Sequence, residues 1–386
     1  YEANIIDAFS WLGLTWDKQN FYRQSERMGI YQKYLKKIID DGKAYISKEE
    51  VKKEGDREEV IRFKNPNIEI KFTDMIRGEI KFDTTELGDF IIAKSQEEPL
   101  YHFAVVVDDL EMGITHVIRG EDHISNTPRQ ILIGEALGAP RPSYAHIPLI
   151  LAPDRSKLSK RHGAVAITEY RNQGYLPEAM VNYLALLGWN PGTEQEIFST
   201  DELIQLFDLT KVQKGGAIFD IEKLKWINRE YLKNKTEEIR KAITQDTKIK
   251  DDRILRILLI LVAGRISTLN EVGALFKGGE LDFLKISDYP KEKINWKGIS
   301  AEETRNHLEK IITLLETLDA NNFTQESVKE KVMPYAEKEG RGNVLWPMRY
   351  VLTGKEKSPD PFTVAGILGK EETLKRLKGA LKKLHG

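Results

Sequence analysis

The sequence predicts a multidomain protein in which an α/β part is followed by an all-α part. Its 386 residues are enough for two to three domains of ordinary size. Between Tyr101 and Leu151, short apolar strands alternate with helical stretches, which is typical of a mostly parallel sheet. From residue 200 onward, amphipathic helices follow one another, interrupted at Gly278-Gly279 and at Pro359–Pro361.

Composition excludes several classes of protein. Lys plus Arg number 59 and Asp plus Glu number 60, so a wholly basic nucleic-acid binder is excluded, although local basic patches are not. The chain contains no cysteine, which excludes disulfides, thiolate nucleophiles and cysteine-based zinc sites. The longest strongly apolar run, residues 257–264, is far shorter than the roughly 20 residues of a membrane span. No signal peptide precedes the first helix, so we expect a cytoplasmic protein without a membrane partner.

Two helices and several short strands are predicted before Tyr101. Apolar residues share one helical face over Ala3–Leu12 and again from about Met28 to Asp41. The charged stretch Ser47–Glu59 is expected to be exposed. Alternating segments then predict the strands of a small β-rich insertion, at Val60–Lys64, Ile68–Phe72, Gly78–Phe82 and Phe90–Lys94.

Three further strands are predicted in the α/β region. The apolar run His102–Val107 predicts the first, Thr115–Ile118 the second and Tyr144–Leu151 the third. Ligands bind beyond the carboxyl ends of strands in such sheets. Arg119 and the loop after Leu151 follow two of these ends, and we expect a binding site there.

Helix signals in this region are well defined. Thr127 as the N-cap, Pro128 at the first helical position and Gln130 two residues later predict a helix that Gly138 ends. A second helix is predicted over Pro177–Leu187.

The strongest chemical signal is a basic loop, Lys157–Gly163, with the sequence KLSKRHG. Its three cations lie within five residues and could clamp phosphate oxygens. An ordinary solvated basic loop is the alternative. Its position after a strand favours phosphate binding.

Lys157–Arg161 resembles the KMSKS-type signature of class I aminoacyl-tRNA synthetases, and the segments around it resemble the bacterial glutamyl-tRNA synthetase family. The matching segments are Tyr101–Asp109, Met112–His123, Asn126–Gln130, Lys157–Gly163, Gly174–Ala179, Tyr183–Trp189, Phe219–Trp226, and Pro347–Arg349 with Leu352–Gly354. The resemblance covers nearly the whole chain in order, so it is more specific than any single motif.

The resemblance implies ligation of glutamate to tRNA(Glu) in two steps. Glutamate attacks the α-phosphate of ATP to give glutamyl-adenylate and pyrophosphate, and the 2′-hydroxyl of the terminal tRNA adenosine then takes the glutamyl group and releases AMP. Such catalysis depends on positioning and on stabilisation of phosphate charge. The expected partners are L-glutamate, ATP with Mg²⁺ and tRNA(Glu), with tRNA(Gln) left open. We expect a monomer without zinc.

The resemblance also implies roles for the residues of the basic loop. Lys157 and Lys160 match the signature lysines, which hold the phosphates of ATP and pyrophosphate. Ser159 and Arg161 match positions that shape this loop.

Two residues match the glutamate pocket of the family. Arg119 matches the arginine that binds the γ-carboxylate, and a structural ion pair with Asp108 or Asp122 is the alternative. Tyr101 matches a pocket tyrosine, and the alternative is a core aromatic residue at the start of a strand. Some family members carry Asn where this chain has Val105, so that contact is not carried over.

The family's architecture implies four regions. Residues 1–42 and 101–152 form a class I Rossmann-like nucleotide-binding domain that is incomplete at its N-terminus, and residues 43–100 form an inserted domain that binds the tRNA acceptor end. The KMSKS-type loop and a helical stem-contact region occupy residues 153–235. A helical anticodon-binding domain occupies residues 236–386.

The C-terminal end of this last domain is basic. From Lys355 onward, eight Lys or Arg residues face four Asp or Glu residues, so tRNA contacts are expected near Arg349 and Lys355. A solvated helix is the alternative.

Two departures from the family pattern stand out. The insertion lacks the zinc-binding knuckle of many relatives. The HIGH-type motif would lie upstream of Tyr1, so the chain as given is expected to be inactive in aminoacylation. Two other functions stay open: a non-catalytic tRNA-binding fragment, and a tRNA-modifying paralogue that transfers activated glutamate to a base. The long helical C-terminal half argues against the paralogue.

Overall fold

The computed structural model describes residues 1–17, 21–50, 58–159, 161, 166–247, 252–277, 282–284 and 288–385. Three positions of the basic loop, Lys160, His162 and Gly163, lie outside the described residues. So do the predicted Gly278-Gly279 interruption and residues 51–57 of the charged stretch. The chain divides into two compact units, which are Tyr1–Asn172 with Leu176–Ile227, and Gln173–Tyr175 with Asn228–Gly386.

Strands occur only in the first unit, among the residues described. They are β1 (Ala44–Lys48), β2 (Glu59–Phe63), β3 (Glu69–Asp74), β4 (Gly78–Asp83), β5 (Phe90–Ser95), β6 (Glu98–Pro99), β7 (His116–Gly120), β8 (Ser143–Ile147), β9 (Ile150–Leu151) and β10 (Ala217–Ile218). The four strands predicted between residues 60 and 94 are confirmed as β2 to β5.

These strands form two larger sheets and one short parallel pair. The first sheet has the order β1-β2-β5-β6, with antiparallel neighbours throughout. The second has the order β4-β3-β8-β7, in which β8 is parallel to both of its neighbours. The predicted insertion of residues 43–100 therefore contributes β3 and β4 to a sheet that β7 and β8 share. The third sheet is the parallel pair of β9 and β10.

Helices flank the sheets in the first unit. In the second unit, all of the described secondary structure is helical. They are α1 (Glu2–Trp11), α2 (Met28–Asp40), α3 (Tyr101–Glu111), α4 (Thr127–Leu137), α5 (Ile167–Asn172), α6 (Pro177–Leu186), α7 (Thr200–Leu206), α8 (Ile221–Leu232), α9 (Thr236–Thr247), α10 (Asp252–Ala263), α11 (Glu271–Lys277), α12 (Ala301–Glu316), α13 (Gln325–Glu339), α14 (Arg341–Thr353) and α15 (Pro361–His385). The helices predicted near residues 3–12, 28–41, 127–137 and 177–187 are confirmed as α1, α2, α4 and α6.

The strand predicted over His102–Val107 is wrong, because this segment lies within helix α3. A short apolar run does not distinguish a buried strand from a buried helix. Phe103, Ala104 and Val107 are buried here among apolar residues of the first unit's core. Helix α3 contacts α2, α4 and strand β5, so the run is apolar because other elements of the first unit cover it.

Two smaller predictions also need correction. Tyr144–Leu151 forms two strands rather than one, because Pro148 has no N–H group to continue the ladder that β8 forms with β7, and β9 pairs with β10 instead. Thr127 is not an N-cap. A 3₁₀ turn over Glu121–Asn126 leads directly into α4, so Asn126 is the capping residue and Thr127 is the first helical residue.

The core of the first unit lies between helices α2, α3 and α4 and the two larger sheets. Its largest fully buried side chains include Tyr31, Ile92, Phe103 and Ile133. Tyr144 of β8 belongs to this core, and Val117 of β7 packs against it. The core therefore anchors the two strands that carry the residues of the candidate site. No helix in the described part of the chain is long and apolar enough to cross a membrane.

Candidate active site

Arg119 lies near the end of β7, directly beside His146 of the parallel strand β8. Its Nε donates a hydrogen bond to His146 Nε2 at 3.2 Å, and its Nη2 donates one to Thr127 Oγ1 at 2.7 Å. A longer contact of 3.5 Å joins Nη2 to the carbonyl oxygen of His123. The guanidinium carbon lies 6.0 Å from the ring centre of Tyr144. The two strands and the start of α4 thus fix one edge of the guanidinium.

The ion pairs offered as the alternative role for Arg119 are not present. Asp108 pairs with Arg27 at 2.7 Å, and Asp122 pairs with Lys157 at 2.9 Å. Among the described residues, Arg119 has no carboxylate within ion-pair distance and its Nη1 has no hydrogen-bond partner. The guanidinium can therefore still form an ion pair with a bound anion.

Tyr101 is the first residue of α3, and 47% of its surface is exposed. The alternative of a core aromatic residue at the start of a strand is therefore wrong. Its ring centre lies 6.1 Å from that of His123, whose carbonyl oxygen contacts Arg119. The structure thus places both predicted pocket residues next to His123, Tyr101 near its ring and Arg119 near its carbonyl oxygen.

The start of the basic loop is joined to the turn that follows Arg119. Lys157 Nζ donates a hydrogen bond to Asp122 Oδ2 at 2.9 Å, and both side chains are exposed. This hydrogen bond lowers the pKa of Asp122 below its usual value. Ser159 is half-buried and Arg161 is exposed. The predicted phosphate-binding and glutamate-binding residues therefore meet through the segment Arg119–Asp122.

A buried histidine–aspartate pair lies behind Arg119, and the sequence analysis did not identify it. His146 and Asp74 have fully buried side chains, and His146 Nδ1 lies 2.6 Å from Asp74 Oδ2. Backbone N–H groups of Ile76, Arg77 and His146 donate to the same carboxylate at 3.0, 2.9 and 3.1 Å. The available signal was a histidine in an otherwise apolar strand next to an expected binding site.

The ionisation states of this pair follow from burial and hydrogen bonding. Burial lowers the pKa of His146, although the hydrogen bond to Asp74 opposes this effect. Burial alone would raise the pKa of Asp74, but its hydrogen bonds hold the pKa below the usual value. At neutral pH the pair is therefore a neutral imidazole and a carboxylate.

The predicted tRNA-contact residues lie in the second unit. The guanidinium of Arg349 lies 5.3 Å from the ring centre of Trp346, and that ring stacks on Tyr350 at 6.1 Å. Lys355 is exposed, and its backbone N–H donates to Thr353 Oγ1 at 3.2 Å. Tyr350 is only 3% exposed, so this ring pair supports the side chain of Arg349 and does not itself offer an open face for base stacking.

Comparison with known proteins identifies the family. A model of the catalytic domain of class I tRNA synthetases (E and Q) matches residues 1–54 and 46–226, and a model of an anticodon binding domain matches residues 222–381. The glutamate–tRNA ligase of Carboxydothermus hydrogenoformans is 40% identical, with 97% of this chain and 88% of that protein covered. The chain belongs to the glutamate–tRNA ligase family.

Other members of the glutamate–tRNA ligase family agree. The ligase of Aquifex aeolicus is 39% identical, with 100% of this chain and 89% of that protein covered. A crystal structure of the glutamate tRNA ligase from Elizabethkingia meningosepticum, in complex with its amino acid, superposes with a TM-score of 0.82 at 30% identity. That match covers 99% of this chain and 89% of the other. The family resemblance predicted from the sequence is confirmed.

Proposed function

We propose that this glutamate–tRNA ligase family member ligates glutamate to tRNA(Glu) through a glutamyl-adenylate intermediate. The observation that carries the proposal is the guanidinium of Arg119. It is held on one edge by His146 and Thr127, and it has no acidic partner among the described residues. A guanidinium with one edge free can bind a carboxylate with two parallel hydrogen bonds. We assign that edge to the γ-carboxylate of glutamate, with the Tyr101 hydroxyl as a second donor in the pocket.

We assign the phosphates of ATP to the basic loop. Lys157 and Lys160 supply the cations, and Ser159 and Arg161 shape the loop around them. Phosphate oxygens would replace the Asp122 carboxylate as the partner of Lys157, whose exposed side chain is free to turn. Magnesium would accompany the ATP phosphates. Among the described residues no group of three or more acidic or histidine side chains could hold a metal ion, so no step is assigned to a protein-bound ion.

Each step of the proposed reaction conserves atoms and charge. The α-carboxylate of glutamate attacks the α-phosphorus of ATP, and the bond to the bridging oxygen of pyrophosphate breaks. The 2′-hydroxyl of the terminal adenosine then attacks the glutamyl carbonyl and displaces AMP, and the proton of the hydroxyl passes to solvent. Arg119 holds the side chain of glutamate throughout, so that the α-carboxylate faces the loop that binds the phosphates.

The remaining assignments extend this proposal. It includes the four regions predicted from the sequence, among them an inserted acceptor-binding domain at residues 43–100. The exposed Lys355 and the cation–π contact of Arg349 with Trp346 support a tRNA surface in the second unit. We propose a cytoplasmic monomer that charges tRNA(Glu), and charging of tRNA(Gln) is an outcome to be measured.

Substitution of Arg119 tests the pocket. Arg119→Gln should raise the KM for glutamate by roughly 10- to 100-fold, because hydrogen bonds to a charged group are lost, while the KM for ATP changes little. Arg119→Lys retains the charge without the planar geometry and should lie between wild type and Arg119→Gln. The measurement is aminoacylation of tRNA with glutamate and, separately, with glutamine. An unchanged KM for glutamate together with unchanged rejection of glutamine would assign Arg119 to structure alone.

A chemical control separates ligation from base modification. Periodate oxidises the terminal 2′,3′-diol of tRNA and so removes the acceptor hydroxyl. Oxidised tRNA should receive no glutamate from a ligase, whereas an enzyme that modifies a base would still label it. Equal labelling of oxidised and intact tRNA would favour the paralogue over the ligase.

A further inference from the structure

We infer that His146 and Asp74 position Arg119 for recognition of the glutamate side chain. This inference rests on the proposed function, because it gives a role to the residues that orient the pocket arginine. His146 and Asp74 are positioning residues, since both lie behind Arg119 with side chains that are 0% exposed. Neither is placed to touch a substrate directly.

The direction of each hydrogen bond defines the chain of contacts. A guanidinium carries donors only, so His146 Nε2 must accept from Arg119 Nε. The imidazole proton must then reside on Nδ1, where it is donated to Asp74 Oδ2 at 2.6 Å. Asp74 thus selects the one tautomer of His146 that can hold Arg119.

Backbone hydrogen bonds hold Asp74, the last residue in this series of contacts, in a fixed position. The carboxylate of Asp74 accepts hydrogen bonds from the backbone of Ile76 and Arg77, which form the turn after β3. Arg77 in turn donates to the carbonyl oxygen of His146 at 3.2 Å and pairs with Glu121 at 2.7 Å. The turn after β3, strand β8 and the turn after Arg119 are therefore fastened to one another around the pair.

The arrangement also sets the face that Arg119 offers to a ligand. Thr127 Oγ1 accepts from Arg119 Nη2 at 2.7 Å and lies 3.1 Å from His146 Nε2. His146 and Thr127 therefore occupy the edge formed by Nε and Nη2, and Nη1 has no partner among the described residues. A fixed guanidinium loses less conformational freedom when glutamate binds. Its orientation also favours a carboxylate over the neutral amide of glutamine.

A neutral His146 is part of this role. An imidazolium would carry a proton on Nε2, could not accept from Arg119 and would repel its charge. Burial is the main reason why the pKa of His146 is lowered; of the charges that face the ring, Arg119 and Arg77 lower the pKa further and Asp74 raises it. The pair therefore orients Arg119 without adding a second positive charge behind the pocket.

Three substitutions test the inference in the complete protein. His146→Leu removes both ring nitrogens at similar volume, and His146→Gln keeps one donor and one acceptor. Asp74→Asn preserves shape but allows either tautomer of His146. We expect the KM for glutamate to rise roughly tenfold in His146→Leu and in Asp74→Asn, as expected for loss of one hydrogen bond to a charged group. His146→Gln should lie near wild type, and the KM for ATP should stay unchanged in all three.

A matched control separates positioning from general loss of packing. Asn182 of α6 is 0% exposed in the same unit and hydrogen-bonds to the backbone of Phe198 and Glu196. Asn182→Leu should lower the melting temperature and leave the KM for glutamate unchanged. If His146→Leu does not fold, then Asp74→Asn and His146→Gln carry the comparison.

A double-mutant cycle decides between the inference and its failure. Because His146 acts through Arg119, His146→Leu should not raise the KM for glutamate further in the Arg119→Gln background. Additive effects of the two substitutions, or a normal KM for glutamate in both His146→Leu and Asp74→Asn, would overturn the inference. If Arg119→Gln alone leaves this KM unchanged, the proposed pocket fails instead, so the two failures are distinguishable.

Discussion

Among single residues, Lys157 is a surface cation that we propose exchanges Asp122 for the phosphates of ATP. It is 64% exposed and bonds to Asp122, so its present ion pair contributes little stability. We predict that Lys157→Ala and Lys160→Ala each slow adenylate formation by about 10²- to 10³-fold, because each removes charge stabilisation of the transition state. The KM for glutamate should not change. The measurement is ATP–pyrophosphate exchange with glutamate and tRNA present.

An exposed lysine outside the loop supplies the control for this prediction. Lys36 of α2 is 72% exposed and pairs with Asp40 at 2.7 Å, much as Lys157 pairs with Asp122. Lys36→Ala should leave the exchange rate unchanged. A wild-type rate of ATP–pyrophosphate exchange in both loop variants would show that the loop does not stabilise the phosphates of ATP.

Asp109 of α3 should make stability depend on pH. Burial raises the pKa of this carboxyl, which lines a cavity with Val106, Gln130 and Tyr144. The native state then binds the proton more tightly than the unfolded chain does, so the free energy of unfolding falls as the pH rises through this range. We predict that Asp109→Asn is more stable than wild type at pH 7, with a difference that shrinks as the pH approaches 4. Urea unfolding across this pH range measures the effect.

The opposite sign is expected at an exposed carboxylate. Hydrogen bonds from Thr85 lower the pKa of Asp83, so its ionised form stabilises the native state above this pKa. Asp83→Asn should therefore lower stability at pH 7 and approach wild type in acid. If Asp109→Asn and Asp83→Asn change the free energy of unfolding at pH 7 in the same direction, burial does not explain the effect at Asp109.

The sequence predicted some residues of the site and could not predict others, for a physical reason. Arg119, Tyr101 and Lys157 belong to local motifs, and the structure connects all three through the segment Arg119–His123. Asp74 and His146 lie 72 positions apart and meet only because β3 and β8 pair in one sheet. No local pattern carries that information.

At the scale of elements, local sequence predicts helix α4, whereas helix α3 depends on contacts with other elements. Helix α4 was predictable because Pro128 and Gly138 mark its two ends. Helix α3 begins after Leu100, whose side chain makes no capping hydrogen bond, and its apolar run has strand-like composition. Its helical state depends on packing against α2, α4 and β5, which the sequence of the segment does not encode.

The end of α4 gives a prediction about stability. Gly138 has φ of 75°, and a Cβ placed there would meet nothing within 4 Å. Gly138→Ala therefore adds only backbone strain and should cost about 1–2 kcal/mol. Gly29 of α2 is exposed, and its backbone lies outside the left-handed region. Gly29→Ala should instead stabilise the protein, by less than the roughly 0.5–1 kcal/mol of a helix interior, because Gly29 is the second residue of α2.

Urea unfolding monitored on the first unit measures both glycine variants. Shifts of opposite sign are expected for the two substitutions. Equal shifts would show that the end of α4 does not require a left-handed residue.

At the scale of the whole molecule, the two units and the two family models divide the chain at nearly the same place. The catalytic model ends at residue 226, the anticodon model begins at residue 222, and the units divide after Ile227. Helix α8, Ile221–Leu232, spans this point. Because the chain crosses within a helix, no glycine- or proline-rich linker marks the division in the sequence. The family's architecture implies a boundary at residue 236, the first residue of α9, which lies nine positions after Ile227.

The second unit also includes a short segment from earlier in the chain, Gln173–Tyr175. Gly174 has φ of +85°, and its carbonyl oxygen accepts a hydrogen bond from the N–H of Leu269 at 3.0 Å. A Cβ at Gly174 would lie 2.7 Å from the backbone nitrogen of Asn270 and 2.9 Å from that of Leu269. Gly174→Ala thus combines a disfavoured backbone conformation with a collision against main-chain atoms, which cannot move aside as a side chain can.

We predict that Gly174→Ala destabilises the second unit by more than about 2 kcal/mol, since the backbone conformation alone costs about 1–2 kcal/mol. Hydrogen exchange measured by mass spectrometry should show faster exchange in α9 and α11, whereas peptides from α3 and α4 keep the wild-type rate. Gly138→Ala is the matched control, because it should speed exchange around α4 and leave α9 and α11 unchanged. Faster exchange in α3 and α4 caused by Gly174→Ala would mean that Gln173–Tyr175 stabilises the first unit and that the two units do not unfold separately.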